Sequence, residues 1–265
     1  MASVIRRWAW VLVLLVGLVL YLVVLAALVD TDNPNYVPSM ILLGSTVVPV
    51  TFLTFAAGRS GHWQVPALTL GFAALFGGVI GTVTAGLLEY DTIRDLGVLP
   101  ALFIAVIEET TKLIVPVAIV IWAWSRKRLH PGDGLVIGVA VGMGFAALET
   151  MGYAFTTLIA SRGNVGDVEQ TLFLRGLLSP AGHIAWTGLT CGALWRLATT
   201  PTAKTVIGAL ATYVAAIALH TCWDGIGGLI TYLVVGVISL SWLLWELHRS
   251  NTVRYDTPPA ASRHS

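Results

Sequence analysis

The sequence predicts an all-α polytopic membrane protein with about eight transmembrane helices. The 265 residues are 56% hydrophobic and only 11% charged, against roughly 25% charged in a soluble domain. The mean hydropathy is +0.82. Apolar runs long enough to cross a bilayer, about 20 residues each, recur at 8–29, 37–57, 66–88, 97–124, 133–160, 173–195, 205–223 and 227–247. A formal net charge of +1 offers no basic surface of the kind nucleic acid requires. Ten Trp and seven Tyr suit aromatic anchoring at the two lipid–water interfaces.

The first run, Trp8 to Val29, follows Arg6 and Arg7 and has the outline of a signal peptide. It is longer than a signal core, and no A-x-A cleavage site precedes "DTDNPNY", so it reads as a retained anchor. Spans 1, 2, 3 and 8 carry almost no ionisable residues in their interiors. The stretch 205–247 is too long for one span and long enough for two, with the turn near Gly225–Gly228. Residues 1–250 therefore form one transmembrane domain, in which motif-bearing spans 4–7, about 97–230, make the core. Residues 251–265 are polar and Pro-containing and read as a disordered cytoplasmic tail. Cys191 and Cys222 lie in apolar runs without a CxxC partner and read as packing residues.

Basic residues orient the chain. With the N-terminus inside, inner segments hold Arg6, Arg7, Arg59, Arg126, Lys127, Arg128, Arg196, Lys204, Arg249, Arg254 and Arg263, while outer segments hold Arg94, Arg162 and Arg175. The positive-inside rule then puts both termini in the cytoplasm of a cell-membrane protein.

Span 4 contains "AVIEETTKLIV", with Glu108, Glu109 and Lys112 in an apolar run. A charge at the bilayer centre costs on the order of 2.5–3.5 kcal/mol, so such residues pair or carry function. Glu108 and Lys112 are four apart and share a helix face, and Glu109, three from Lys112, can also meet it; the spacing favours Glu108 as the partner of Lys112 with Glu109 facing water, and leaves open which of the two is the base. Pro116 lacks an N–H, so the carbonyl of Lys112 loses its helical partner and the backbone loosens below the charged turn.

Span 5 repeats glycine at 134, 138 and 142, a stripe for close helix packing, and adds Glu149, four residues after Phe145. Span 6 carries "GHIAWTG" and span 7 "LHTCWDG", pairing His183 with Thr187 and His220 with Asp224 at four-residue spacing. Two groups so spaced can grip one ion or one water. Trp186 and Trp223 read as interface anchors or as walls of a site. Three Glu, two His and an Asp thus fall on four consecutive spans. The histidines outside them, His62, His130, His248 and His264, lie in expected loops or tails, and no H-E-x-x-H helix is present.

"EETTK", "FAALE", "HIAWT" and "HTCWD", in this order over about residues 97–230, resemble the PrsW family of polytopic membrane proteases, distantly similar to the CAAX prenyl protease/Abi clan. The resemblance implies proteolysis in the membrane or at its edge, on membrane-anchored protein substrates of which anti-sigma factors are one class. It implies a site with Glu108, Glu109, Lys112 and Glu149 as catalytic groups. His183 and His220, with Glu149 or Asp224, are then the ligands of a zinc ion. Thr187, Phe145 and Trp223 are left to stabilise an oxyanion or position substrate. A Glu/His-activated water, assisted by metal, is the implied chemistry, with a glutamate-activated water without metal as the wider clan's other reading. A non-enzymatic scaffold or sensor, or an ion-coupled transporter using the same pairs as relays, is the alternative.

Helix rise locates these groups. Counted from the outer ends at about 1.5 Å per residue, Glu109 lies roughly 18 Å deep, Glu149 roughly 16 Å, His183 roughly 15 Å and His220 within roughly 10 Å. Against a hydrocarbon core of about 30 Å, all fall between the midplane and the outer face. A reporter fused after Ser265 is expected to read cytoplasmic and one inserted in 30–36 external; the opposite pattern would overturn the orientation.

Overall fold

A computed structural model of the chain describes residues 2–59, 65–96, 100–126 and 128–252. Among these residues there are ten α-helices and no strand: α1 (Ala2–Thr31), α2 (Val37–Arg59), α3 (Ala67–Leu96), α4 (Ala101–Thr111), α5 (Ile114–Ser125), α6 (Asp133–Ala160), α7 (Val165–Leu178), α8 (His183–Thr199), α9 (Ala203–Ile226) and α10 (Leu229–Thr252). The chain is an all-α polytopic membrane protein, as expected. Among the described residues, six helices are long and apolar enough to cross a membrane: α1, α2, α3, α6, α9 and α10.

The two remaining predicted spans are not continuous helices. Span 4 is divided into α4 and α5 at Lys112–Leu113, where Leu113 N–H bonds back only three residues, to the Thr110 carbonyl at 3.0 Å. This is the loosening expected from Pro116, whose ring nitrogen cannot donate to the Lys112 carbonyl. Span 6 is divided into α7 and α8 by a short 3₁₀ turn, Ser179–Ala181. Pro180 lies in that turn, and Gly182 leaves the helical region at φ −110°, ψ −118°. The break makes His183 the first residue of α8.

Helix α6 is the axis of the fold. Every residue from Asp133 to Met143 is buried. It packs on α8 along one side and on α3 along the other, with α2 against it as well. The hydrophobic core thus draws on α2 and α3 as well as on the motif-bearing spans. The glycine stripe explains the α6–α8 contact: a Cβ would meet the Cys191 carbonyl oxygen at 2.7 Å from Gly134, that of Thr187 at 2.5 Å from Gly138, and that of His183 at 2.6 Å from Gly142. Across the opposite face, Gly144 lies directly against the backbone of Ala74. Cys191 is buried in the stripe, Cys222 is half-buried, and both are free thiols.

The turn between α9 and α10 falls where expected, on Gly227 and Gly228 at φ +65° and +84°, a conformation that favours glycine. His248, expected in a tail, instead lies in α10, which continues to Thr252. Residues 253–265 of the expected tail, with Arg254, Arg263 and His264, lie outside the described residues, as do His62 and Lys127.

Gly138→Leu should force α6 from α8, because the clash is with backbone, and should cost about 1–3 kcal/mol or more. Gly152→Ala, where a Cβ meets nothing within 4 Å, should be neutral or gain up to about 1 kcal/mol. Thermal unfolding in detergent distinguishes them, and equal stability of the two variants would contradict the stripe's role.

Candidate active site and metal centre

Glu108 and Glu109 lie in the last turn of α4, which ends at Thr111, and Lys112 at the helix break folds back over both. Its Nζ donates to Glu108 Oε2 at 3.2 Å and to Glu109 Oε1 at 2.7 Å. The expected division of labour between the two glutamates is corrected here. Glu109 is the closer partner and the more enclosed, its side chain 2% exposed against 9% for Glu108. The reason is α9: Glu109 Oε1 also meets His220 Nδ1 at 2.9 Å, which draws this carboxylate inward.

Lys112 also reaches α8, its Nζ standing 2.7 Å from His183 Nδ1. An ammonium only donates, so Nδ1 accepts and the ring proton sits on Nε2. That nitrogen lies 2.8 Å from Glu149 Oε2, as a close charge contact rather than an aligned hydrogen bond. Glu149 Oε1 in turn is 2.8 Å from Arg175 of α7. On the other side, His220 Nε2 is 3.0 Å from Asp224 Oδ2. Arg175, Glu149, His183, Lys112, Glu109, His220 and Asp224 thus form one unbroken chain of polar contacts across five helices.

Aromatic rings enclose the chain. Phe145 lies under Lys112, with Nζ 4.2 Å from the ring centre, and 5.3 Å from His183. Trp186 is 1% exposed, stacks on His220 at 4.7 Å and donates its Nε1–H to Ser239 Oγ at 2.9 Å, so it is no interface anchor. Trp223 is half-buried, edge-on to Trp186 at 6.1 Å and 4.6 Å from Tyr232. Thr187 is turned into the α6–α8 contact against Gly142; its enclosed hydroxyl has no hydrogen-bond partner among the described residues. A cavity of about 180 Å³ opens against Glu149 and His183.

Glu108, His183 and His220 offer ligand atoms that all lie within 4.8 Å of one another. Glu108 Oε2 is 3.8 Å from His183 Nδ1 and 3.7 Å from His220 Nε2. Glu108, rather than Glu149 or Asp224, is the carboxylate that faces both imidazoles. Glu149 and Glu109 lie on the opposite ring nitrogens, Nε2 of His183 and Nδ1 of His220.

The PrsW family of intramembrane metalloproteases matches residues 65–245, well over half of the chain. This protein belongs to that family. No curated protein and no solved structure matches it. As a PrsW-family member it is a multi-pass membrane protease, and the four motifs that carried the resemblance are those that the fold gathers into one cluster. Sequence reading missed Arg175, which had been placed in an outer segment. It pairs with Glu149 and lies 3.7 Å over the Tyr153 ring. Its signal was a lone arginine inside the apolar stretch "TLFLRGLL". Ser239, on a span without motifs, left no signal.

Lys112→Met leaves two buried carboxylates without their cation and should destabilise the protein by about 3–5 kcal/mol. Adding Glu109→Gln should recover part of that loss. Unfolding in detergent checks both, and a stable Lys112→Met protein would show that the lysine does not hold the cluster together.

Proposed function

We propose that this protein hydrolyses peptide bonds of membrane-anchored proteins, single-pass proteins or membrane-tethered regulators such as anti-sigma factors, at a zinc site made by Glu108, His183 and His220. One observation carries the reading: the ligand atoms of these three residues, from three different helices, converge within 4.8 Å of one another. The donor set fits the metal once the Lys112 ammonium, 2.7 Å from His183 Nδ1, yields that nitrogen's one lone pair and keeps Glu108 and Glu109. Two imidazoles and a carboxylate are a ligand set of catalytic zinc, with a further position left for water or substrate. The charges fit as well, because among the described residues Glu108, Glu109, Glu149 and Asp224 face only Lys112 and Arg175 as permanent cations, an excess of negative charge that a divalent ion offsets. Bound there, zinc would supply Lewis acidity and a water of lowered pKa.

The remaining residues act through position. Glu149 and Glu109 hold the imidazoles from their far nitrogens and fix their orientation. Lys112 holds Glu108 and Glu109, and Phe145 backs the ammonium. Asp224, whose side chain is 36% exposed, lies 3.0 Å from the His220 nitrogen that would hold the metal; with that nitrogen on the metal, its carboxylate would be free to take the proton released when water attacks. Helix-rise counts for Glu149 and His220, whose helices α6 and α9 are unbroken, support a site between the midplane and the outer face, so that substrates are cut in their extracytoplasmic juxtamembrane region or outer membrane half.

The purified protein should carry about one zinc per chain and cleave a single-pass substrate. His183→Ala, His220→Ala and Glu108→Gln should lose both properties, while Glu149→Gln should bind zinc about 10–100-fold more weakly. Zinc content unchanged in Glu108→Gln, or cleavage that survives thorough chelation, would falsify the assignment. A cut mapped to the cytoplasmic side of the substrate would reject the proposed depth.

A further inference from the structure

We infer that the cavity beside Glu149 and His183 is a side-chain subsite, which takes a leucine- to phenylalanine-sized apolar residue of the substrate next to the scissile bond. The inference rests on the proteolytic reading and gives it a substrate preference.

Position is the first ground. The cavity is bordered by Glu149 and His183, so its occupant lies beside the cluster that would carry the reaction. Size is the second. The volume is about 180 Å³, and a dry cavity of about 150 Å³ accepts benzene. The third is the lining. Leu174, Leu178, Trp186, Trp223 and Tyr232 supply apolar and aromatic walls, and Ala146 leaves room between them. The two charges that reach the cavity, Glu149 and Arg175, neutralise each other at 2.8 Å, so the walls present no net charge to recruit an ionised side chain.

A peptide suits the cavity better than a lipid chain, because Glu149, Arg175 and His183 give its border polar groups that a main chain can match and an acyl chain cannot. Trp223 and Leu174 reach the cavity from α9 and α7, so two separate helices set its width.

The test pairs cleavage with cross-linking, using single-pass substrates that differ at one residue beside the mapped cut. Leucine or phenylalanine there should give a kcat/KM about 10–200-fold above alanine. Leu174→Trp, which fills the cavity, should reverse the order in favour of alanine, and Trp223→Ala, which widens it, should shift preference from leucine toward tryptophan. A photoreactive leucine analogue at the same position should cross-link to Trp223, Tyr232 or Leu174, a binding readout that needs no turnover. Cross-links in the cavity without any cleavage would retain the subsite and reject the proteolytic reading. Cleavage indifferent to the varied residue, or cross-links confined to other surfaces, would reject the subsite and leave the proteolytic reading standing.

Discussion

Lys112 carries a positive charge into the interior of a membrane protein, and the groups that receive it come from two distant parts of the chain, Glu108 and Glu109 on α4 and His183 on α8. Removing an ion from water costs several kcal/mol even after relaxation. That cost is offset only where every buried charge has a close partner of opposite sign or a matching dipole. The contacts run from Arg175 through Glu149, His183, Lys112, Glu109 and His220 to Asp224, each link between 2.7 and 3.0 Å. No member can leave without stranding its neighbours. The cluster therefore dictates which helices must meet, and the scaffold has to bring α4, α6, α7, α8 and α9 to one place.

The scaffold does so by close approach on one side and interruption on the other. Glycines at 134, 138 and 142 let α8 lie against the backbone of α6, and the last of them sits against the His183 carbonyl, so the stripe that packs the helices also sets the height of a site residue. Both interrupted helices break at the cluster, at Lys112–Leu113 and at Gly182. Non-helical backbone at membrane depth is tolerated only inside protein or at a cavity, and both breaks are enclosed. The second turns the N-terminus of α8, the positive end of its dipole, toward the carboxylates. Breaking the helices is what allows short side chains such as Glu149 and His183 to converge without long reach.

Membership in the PrsW family of intramembrane metalloproteases gives this arrangement a chemical meaning, and the geometry refines which residue does what. The paired glutamates are not equivalent. Glu109 is tied to Lys112 and to the far nitrogen of His220, whereas Glu108 faces the near nitrogens of both imidazoles. Each histidine has a carboxylate near both of its ring nitrogens, Glu108 and Glu149 for His183, Glu108 and Glu109 for His220.

The sequence by itself determined the membrane class, the all-helical fold, the glycine stripe of span 5 as a packing face, the weakened backbone before Pro116 and the identity of the charged residues. Each follows from composition or from chemistry local to a few residues. It misjudged what depends on distance across the fold. Spacing along one helix paired Glu108 with Lys112, a contact that forms at 3.2 Å, but His220, 111 residues away from Glu109, decided that Glu109 is the glutamate drawn inward. Spacing read span 6 as continuous, because an apolar count does not register that Gly182 adopts a non-helical conformation. Arg175 looked like a loop residue until Glu149 was beside it, and Trp186 like an interface anchor until its ring lay on His220. The partner of a buried charge is chosen by whichever opposite group the tertiary packing brings closest, and that choice is not contained in the separation of residues along the chain.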